Sequence, residues 1–189
     1  MRKAHLCLLM LLTTIGFVSN AEAKNREKSW EFGAMYQHID ADRNAGVKNS
    51  YGEELRFGYN FSSKVEAEFI YGVTSTDHLE HNDDFFRALV LITGNLLTDR
   101  DTKTVPYISA GLGVIQETRS AFTDPNGMRV FESFDSSAIL TLGVGARTFF
   151  NDNWGIRYEG RYNHHDSFTL GQDEYVLAVG VTWVVGGKK

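Results

Sequence analysis

Three short clusters hold side chains that could do chemistry. Arg157-Tyr158-Glu159-Gly160-Arg161 sets two guanidiniums and a carboxylate at alternate positions. Alternate residues of a strand share a face, so these groups form one row, suited to forked Arg–carboxylate pairing. His164-His165-Asp166-Ser167, with Glu174 further on, contains a base, a hydroxyl and an acid. Nucleophilic hydrolysis needs those three groups within hydrogen-bond reach. Asp77-His78-Leu79-Glu80-His81-Asn82-Asp83-Asp84 offers oxygen and imidazole ligands for a divalent cation. It has no standard ligand spacing, and the expectation is a solvated acidic loop with no metal. The sequence has no glycine-rich phosphate loop. Its one cysteine, Cys7, lies near the start, and no cofactor is implied.

The elements that must position these groups are strands. Eight stretches alternate between apolar and polar residues. Leu55-Arg56-Phe57-Gly58-Tyr59-Asn60-Phe61 is typical: Leu55, Phe57, Tyr59 and Phe61 point one way, Arg56, Gly58 and Asn60 the other. Strands are expected at Trp30–Ala41, Tyr51–Phe61, Val65–Thr74, Asp84–Asn95, Val105–Thr118, Glu132–Phe150, Trp154–Asn163 and Glu174–Val185. Phe61–Lys64 and Asn151–Asn153 are tight turns. Asp42–Ser50, Ser75–Asp83, Arg119–Val130 and His164–Asp173 are longer and polar, and Leu96–Thr104 is intermediate. Short turns at one end and long loops at the other are the pattern of bacterial outer-membrane barrels.

The N-terminus reads as an export signal. Arg2 and Lys3 precede an apolar run from Leu6 to Val18, and Ala21-Glu22-Ala23 is a small-x-small cleavage site. The run is too short to span a bilayer comfortably. Cys7 has no small neighbours and is not expected to be acylated. The expected organisation is a signal peptide, Met1–Ala23, and one barrel domain, Lys24–Lys189. Removing Arg2, Lys3 and Glu22 takes the formal charge from −5 to −6, which disfavours nucleic acid as a partner.

Alternation alone does not say which face is inside, because a soluble barrel has the same period with inverted polarity. Two features favour the membrane form. Gly33, Gly58, Gly72, Gly111, Gly113, Gly143, Gly145 and Gly180 cluster on the polar face, where small residues make room for large ones across a narrow lumen. Aromatic residues bound the apolar stripe: Trp30, Phe61, Phe150, Trp154 and Trp183 at one end, Tyr36, Tyr51, Tyr71, Phe86, Tyr162 and Tyr175 toward the other. Such rings favour membrane–water boundaries. Parity then turns Glu31, Glu54, Arg56, Glu66, Glu68, Arg87, Arg147, Arg157, Glu159 and Arg161 inward. Isolated buried charges are costly, so these groups are expected to pair across the lumen. A structural network that fills the barrel is preferred to a gate, since eight strands leave little free interior.

These motifs resemble a known group. Val105-Pro106-Tyr107-Ile108-Ser109-Ala110-Gly111-Leu112-Gly113-Val114, Trp154-Gly155-Ile156-Arg157-Tyr158-Glu159-Gly160-Arg161-Tyr162 and Gly180-Val181-Thr182-Trp183 are similar to the fifth, seventh and closing strands of the outer-membrane protein A-like β-barrel superfamily. The resemblance implies an all-β, eight-stranded antiparallel up-and-down transmembrane barrel, integral to the outer membrane. It also implies roles in envelope integrity, adhesion or limited diffusion. With a single barrel domain expected, no peptidoglycan-binding domain like that of the larger members is expected here. The chain ends in Gly186-Gly187-Lys188-Lys189 where the assembly machinery usually reads an aromatic residue, and Trp183 is the residue expected to substitute for it from within the strand. Lipid A deacylases are also eight-stranded barrels, with a lipid-facing His-x-Ser pair and an acid. His165, Ser167 and Glu174 resemble these, but by parity His165 and Ser167 face the lumen, and Phe168 replaces an Asn. A polar rim is preferred. The expected protein is a non-enzymatic monomer with outer-membrane lipid, lipopolysaccharide and the barrel-assembly machinery as partners and an unidentified surface ligand. A narrow diffusion channel and a lipid-modifying hydrolase are the alternatives.

Overall fold

A computed structural model describes residues 27–41, 50–77, 82–96, 103–119, 122–123, 129–130, 133–167 and 171–187. The expected signal segment with Cys7 and the centre of the acidic loop, His78–His81, lie outside the described residues. The strands are β1 (Ser29–Ala41), β2 (Ser50–Asn60), β3 (Val65–Asp77), β4 (Asn82–Asn95), β5 (Thr104–Arg119), β6 (Phe122–Thr123), β7 (Arg129–Val130), β8 (Ser133–Phe149), β9 (Trp154–Ser167) and β10 (Gly171–Gly186). Eight of them close a barrel in the order β1-β10-β9-β8-β5-β4-β3-β2, while β6 and β7 form a separate small ribbon. All neighbouring pairs are antiparallel. No helix among the described residues is long and apolar enough to cross a membrane.

The pairing register sets the bore. Partners traced around the wall from Ser29 pass Asn60, Glu66, Thr93, Ser109, Gly143, Arg161 and Val176. The path returns to β1 at Ile39, ten residues further along. Eight strands with such a stagger tilt by about 40° and enclose a space just wide enough for side chains.

The faces sort as the alternation requires. Leu55, Phe57, Phe69, Val90, Ile92, Ile108, Leu112, Leu142, Val144, Ile156, Val179 and Val181 are exposed on the outside of the wall. Exposure of so much apolar surface on a water-soluble monomer would be anomalous, and on a membrane barrel it is the lipid-facing band. At the end with the termini, the exposed rings of Trp154 and Trp183 stack at 5.7 Å, and Trp30 meets Tyr59 at 4.9 Å. At the other end Tyr36 stacks on Tyr51 and Tyr162 meets Tyr175. Tyr71 and Phe150 are exposed too.

The structure departs from the sequence expectation at the outer connections and inside the lumen. Ser75–Asp77 pairs with Asn82–Asp84, and His164–Ser167 belongs to β9 facing the start of β10, so two expected loops are largely strand. Backbone pairing continues past the lipid boundary, where polar residues on both faces erase the alternation. The lumen is also not uniformly polar. Ile70, Phe85, Leu89, Leu91, Ile115 and Ile139 form a buried apolar cluster toward the outer end of the β3–β4–β5–β8 wall. β4 is apolar on both faces there, through Leu89-Val90-Leu91-Ile92.

Candidate functional site

The inward rows of β1, β2, β3, β4, β8, β9 and β10 bring the charged residues together in three tiers. In the tier nearest the termini, Arg147 Nη1 donates to Glu31 and to Glu66 Oε2 (2.7 Å), and its Nη2 donates to Asn95 Oδ1 at 2.6 Å. Arg157 donates to Glu68 Oε1 at 2.7 Å and to the Tyr107 hydroxyl at 2.7 Å, and lies 3.4 Å from Glu31. The Tyr107 ring packs against both guanidiniums, its centroid 5.1 Å from Arg147 Cζ and 4.6 Å from Arg157 Cζ. This is cation–π geometry. Tyr107 fits because Gly145 lies opposite: a Cβ there would sit 2.5 Å from the phenol oxygen.

The middle tier turns on Arg56. It donates to Glu54 Oε1 (2.7 Å) and Glu68 Oε2 (3.2 Å) and pairs with Glu159, which also accepts from Ser109 at 3.0 Å. Arg161 donates to Glu54 Oε2 (2.5 Å) and Gln37 Oε1 (3.2 Å). In the outer tier, Thr74 Oγ1 accepts from Gln37 (3.2 Å) and Arg87 (3.3 Å). Arg87 pairs with Glu174 at 2.8 Å, and Asn163 links Glu174 to Thr141. The links are unbroken from Asn95 near one mouth to Thr141 toward the other.

All the charged residues expected to line the lumen are buried: Glu31, Glu54, Arg56, Glu66, Glu68, Arg87, Arg147, Arg157, Glu159 and Arg161. Every carboxylate among them has a guanidinium within 4.0 Å. Breaking one such pair leaves an uncompensated buried charge, so the groups hold one another in place. Arg147 Nε, Arg87 Nε and Arg161 Nε and Nη1 donate to no group among the described residues. Sequence reasoning turned Thr141 inward but missed one charged member of the network, Glu174, and the neutral members Gln37, Thr74, Thr93, Asn95, Tyr107, Ser109, Asn163 and Thr182. Parity places each of them inward.

The outer rim holds a second cluster. His164 Nδ1 lies 2.9 Å from Asp173 Oδ1, which accepts from the Tyr162 hydroxyl at 2.6 Å. Both His164 and Asp173 are about half exposed. The acid of the hydrolase-like set, Glu174, is instead buried and bonded to Arg87, so it does not orient a lipid-facing base. The side chains of His165 and Ser167 lie outside the described residues. Among the described residues no group of three His, Cys, Asp or Glu is arranged to hold a metal ion.

The comparisons with known proteins agree with this geometry. No curated protein matches the sequence. Solved barrels similar in structure include the following three. The N-terminal β-barrel domain of Pseudomonas aeruginosa OprF has a TM-score of 0.58 at 16% identity, covering 85% of this chain and 99% of that one. Neisserial surface protein A has 0.63 at 15%, covering 82% and 95%. Ail, the attachment invasion locus protein of Yersinia pestis, has 0.53 at 16%, covering 84% and 99%. At such identities the likeness shows the fold alone. The family model "Outer membrane protein beta-barrel domain" matches residues 8–184. With the lipid-facing wall, the aromatic rings at both ends and the buried charged network in place, the chain belongs to this family, as an integral eight-stranded barrel of the outer membrane.

Proposed function

We propose that the protein is a non-enzymatic, non-conducting barrel that supports the envelope and makes its contacts through its outer connections. The observation that carries this is the unbroken chain from Arg147 through Arg157, Arg56, Arg161 and Arg87 to Glu174, which occupies the bore. A solute would have to displace several buried ion pairs at once, each break leaving an unpaired charge. Function then belongs to the outside surfaces. Four connections leave the end opposite the termini, those after β1, β3, β5 and β9, and the one after β5 carries the β6–β7 ribbon. The name of the Yersinia pestis barrel, attachment invasion locus protein, describes that protein; it supports testing surface attachment here. The proposed partners are outer-membrane lipid, lipopolysaccharide and the assembly machinery, with the barrel monomeric.

The test compares a strain lacking the protein with strains complemented by wild type or by a variant with the 42–49 and 120–132 connections shortened. Detergent sensitivity and surface binding should change while uptake of small hydrophilic solutes stays the same. Loss of solute uptake in the deletion strain, restored by wild type, would overturn the reading.

A further inference from the structure

A hairpin connection fixes the register of the strands it joins. Seven of the eight barrel seams have a chain connection, and the β1–β10 seam has none. Its register, on which closure and bore depend, has to be selected by the residues that face each other along the seam. Glu31 is the residue placed to set it. From β1 its carboxylate accepts from Thr182 of β10 (2.6 Å), from Arg157 of β9 and from Arg147 of β8. All three donors lie on the far side of the seam.

A one-residue slip would turn Glu31 into the lipid, because side chains alternate between faces. A two-residue slip keeps the faces but shifts β10 by about 6.6 Å. Thr182, Arg157 and Arg147 would then leave Glu31 together, since β8, β9 and β10 move as one sheet. The same slip meets a steric block. Met35 is the register partner of Gly180. A Cβ at Gly180 would run into the Ala34 carbonyl and the Met35 backbone. A two-residue slip brings Ala178 or Thr182 opposite Met35 and puts a Cβ there. On the outer face it also separates Phe32 from Trp183, whose rings lie 5.9 Å apart.

We infer that Glu31 is the latch that selects the closing register of the barrel, with the Gly180–Met35 contact excluding the alternatives. The network is thus an assembly device as well as a plug. This does not depend on whether the lumen conducts.

Engineered cysteine pairs at the seam test it, in chains carrying Cys7→Ser. Ala34→Cys with Val181→Cys reports the native register. Ala34→Cys with Val179→Cys, and Tyr36→Cys with Val181→Cys, report slips of two residues in the two directions. In the otherwise native chain, oxidation after refolding into vesicles should link the 34–181 pair and neither slipped pair. Glu31→Ala should raise slipped crosslinking several-fold at the expense of the native product. Thr182→Val leaves every charge in place and should shift the products the same way, more weakly. It provides the reading where Glu31→Ala yields no closed barrel. Native crosslinking alone, at the unaltered yield and closure rate in Thr182→Val and in any Glu31→Ala barrel that closes, would overturn the inference.

Discussion

Arg147 is the side chain whose loss should be felt most. It is fully buried and its two terminal nitrogens serve Glu31, Glu66 and Asn95. Arg147→Ala leaves two carboxylates facing each other, and breaking a buried pair typically costs about 3–5 kcal/mol. Urea unfolding in lipid vesicles should show a loss in that range. Glu159→Ala should cost less, because Arg56 keeps Glu54 and Glu68. The measurement is the ratio of the two losses; equal losses would mean the tiers act as one unit. Sequence parity turns Glu159 inward between Arg157 and Arg161, but parity carries no height. Glu159 in fact pairs with neither of those neighbours but with Arg56, on β2 across the lumen. The inward-facing residues were legible from alternation. Their partners were not, because pairing depends on stagger around a closed wall.

At the scale of the strand, depth decides what a substitution does. Leu140 and Val144 both face lipid from β8. Leu140 pairs with His164, one step beyond the Tyr162 belt, whereas Val144 pairs with Ile108 and Gly160 deeper in the wall. Arginine on the lipid face costs about 2–4 kcal/mol near the midplane and about 0–1 near the boundary. Val144→Arg should therefore impair folding into bilayers far more than Leu140→Arg, as read by heat-modifiable mobility and by unfolding midpoints. Thr141→Arg should fail differently: Thr141 is fully buried and bonded to Asn163, so the fault is crowding and should be insensitive to bilayer thickness. Strand existence and facing were readable because lipid imposes a clean period of two. The ends were not, since β3, β4, β9 and β10 continue as a pairing of polar residues that carries no such signal. The apolar patch inside the lumen was missed for the same reason: Leu89-Val90-Leu91-Ile92 has no period at all.

For the whole molecule, the family match, the lipid-facing wall and the two aromatic belts place the barrel in the outer membrane. It should fractionate with outer membranes as a β-rich, heat-modifiable monomer, and the mature N-terminus should lie near Lys24. Fold and location were legible as a whole because they follow from hydrophobic pattern, which the bilayer enforces along every strand. The role was not, because it belongs to outer connections whose polar residues obey no such constraint. If the Arg–Glu network closes the lumen, as proposed, the purified wild-type barrel should show no conductance steps above the bare membrane in single-channel recordings in planar lipid bilayers, and none on raising the voltage within the range the bilayer tolerates. Regular, ohmic openings by the wild-type protein would contradict it, and would mean that the buried pairs exchange partners to let ions through.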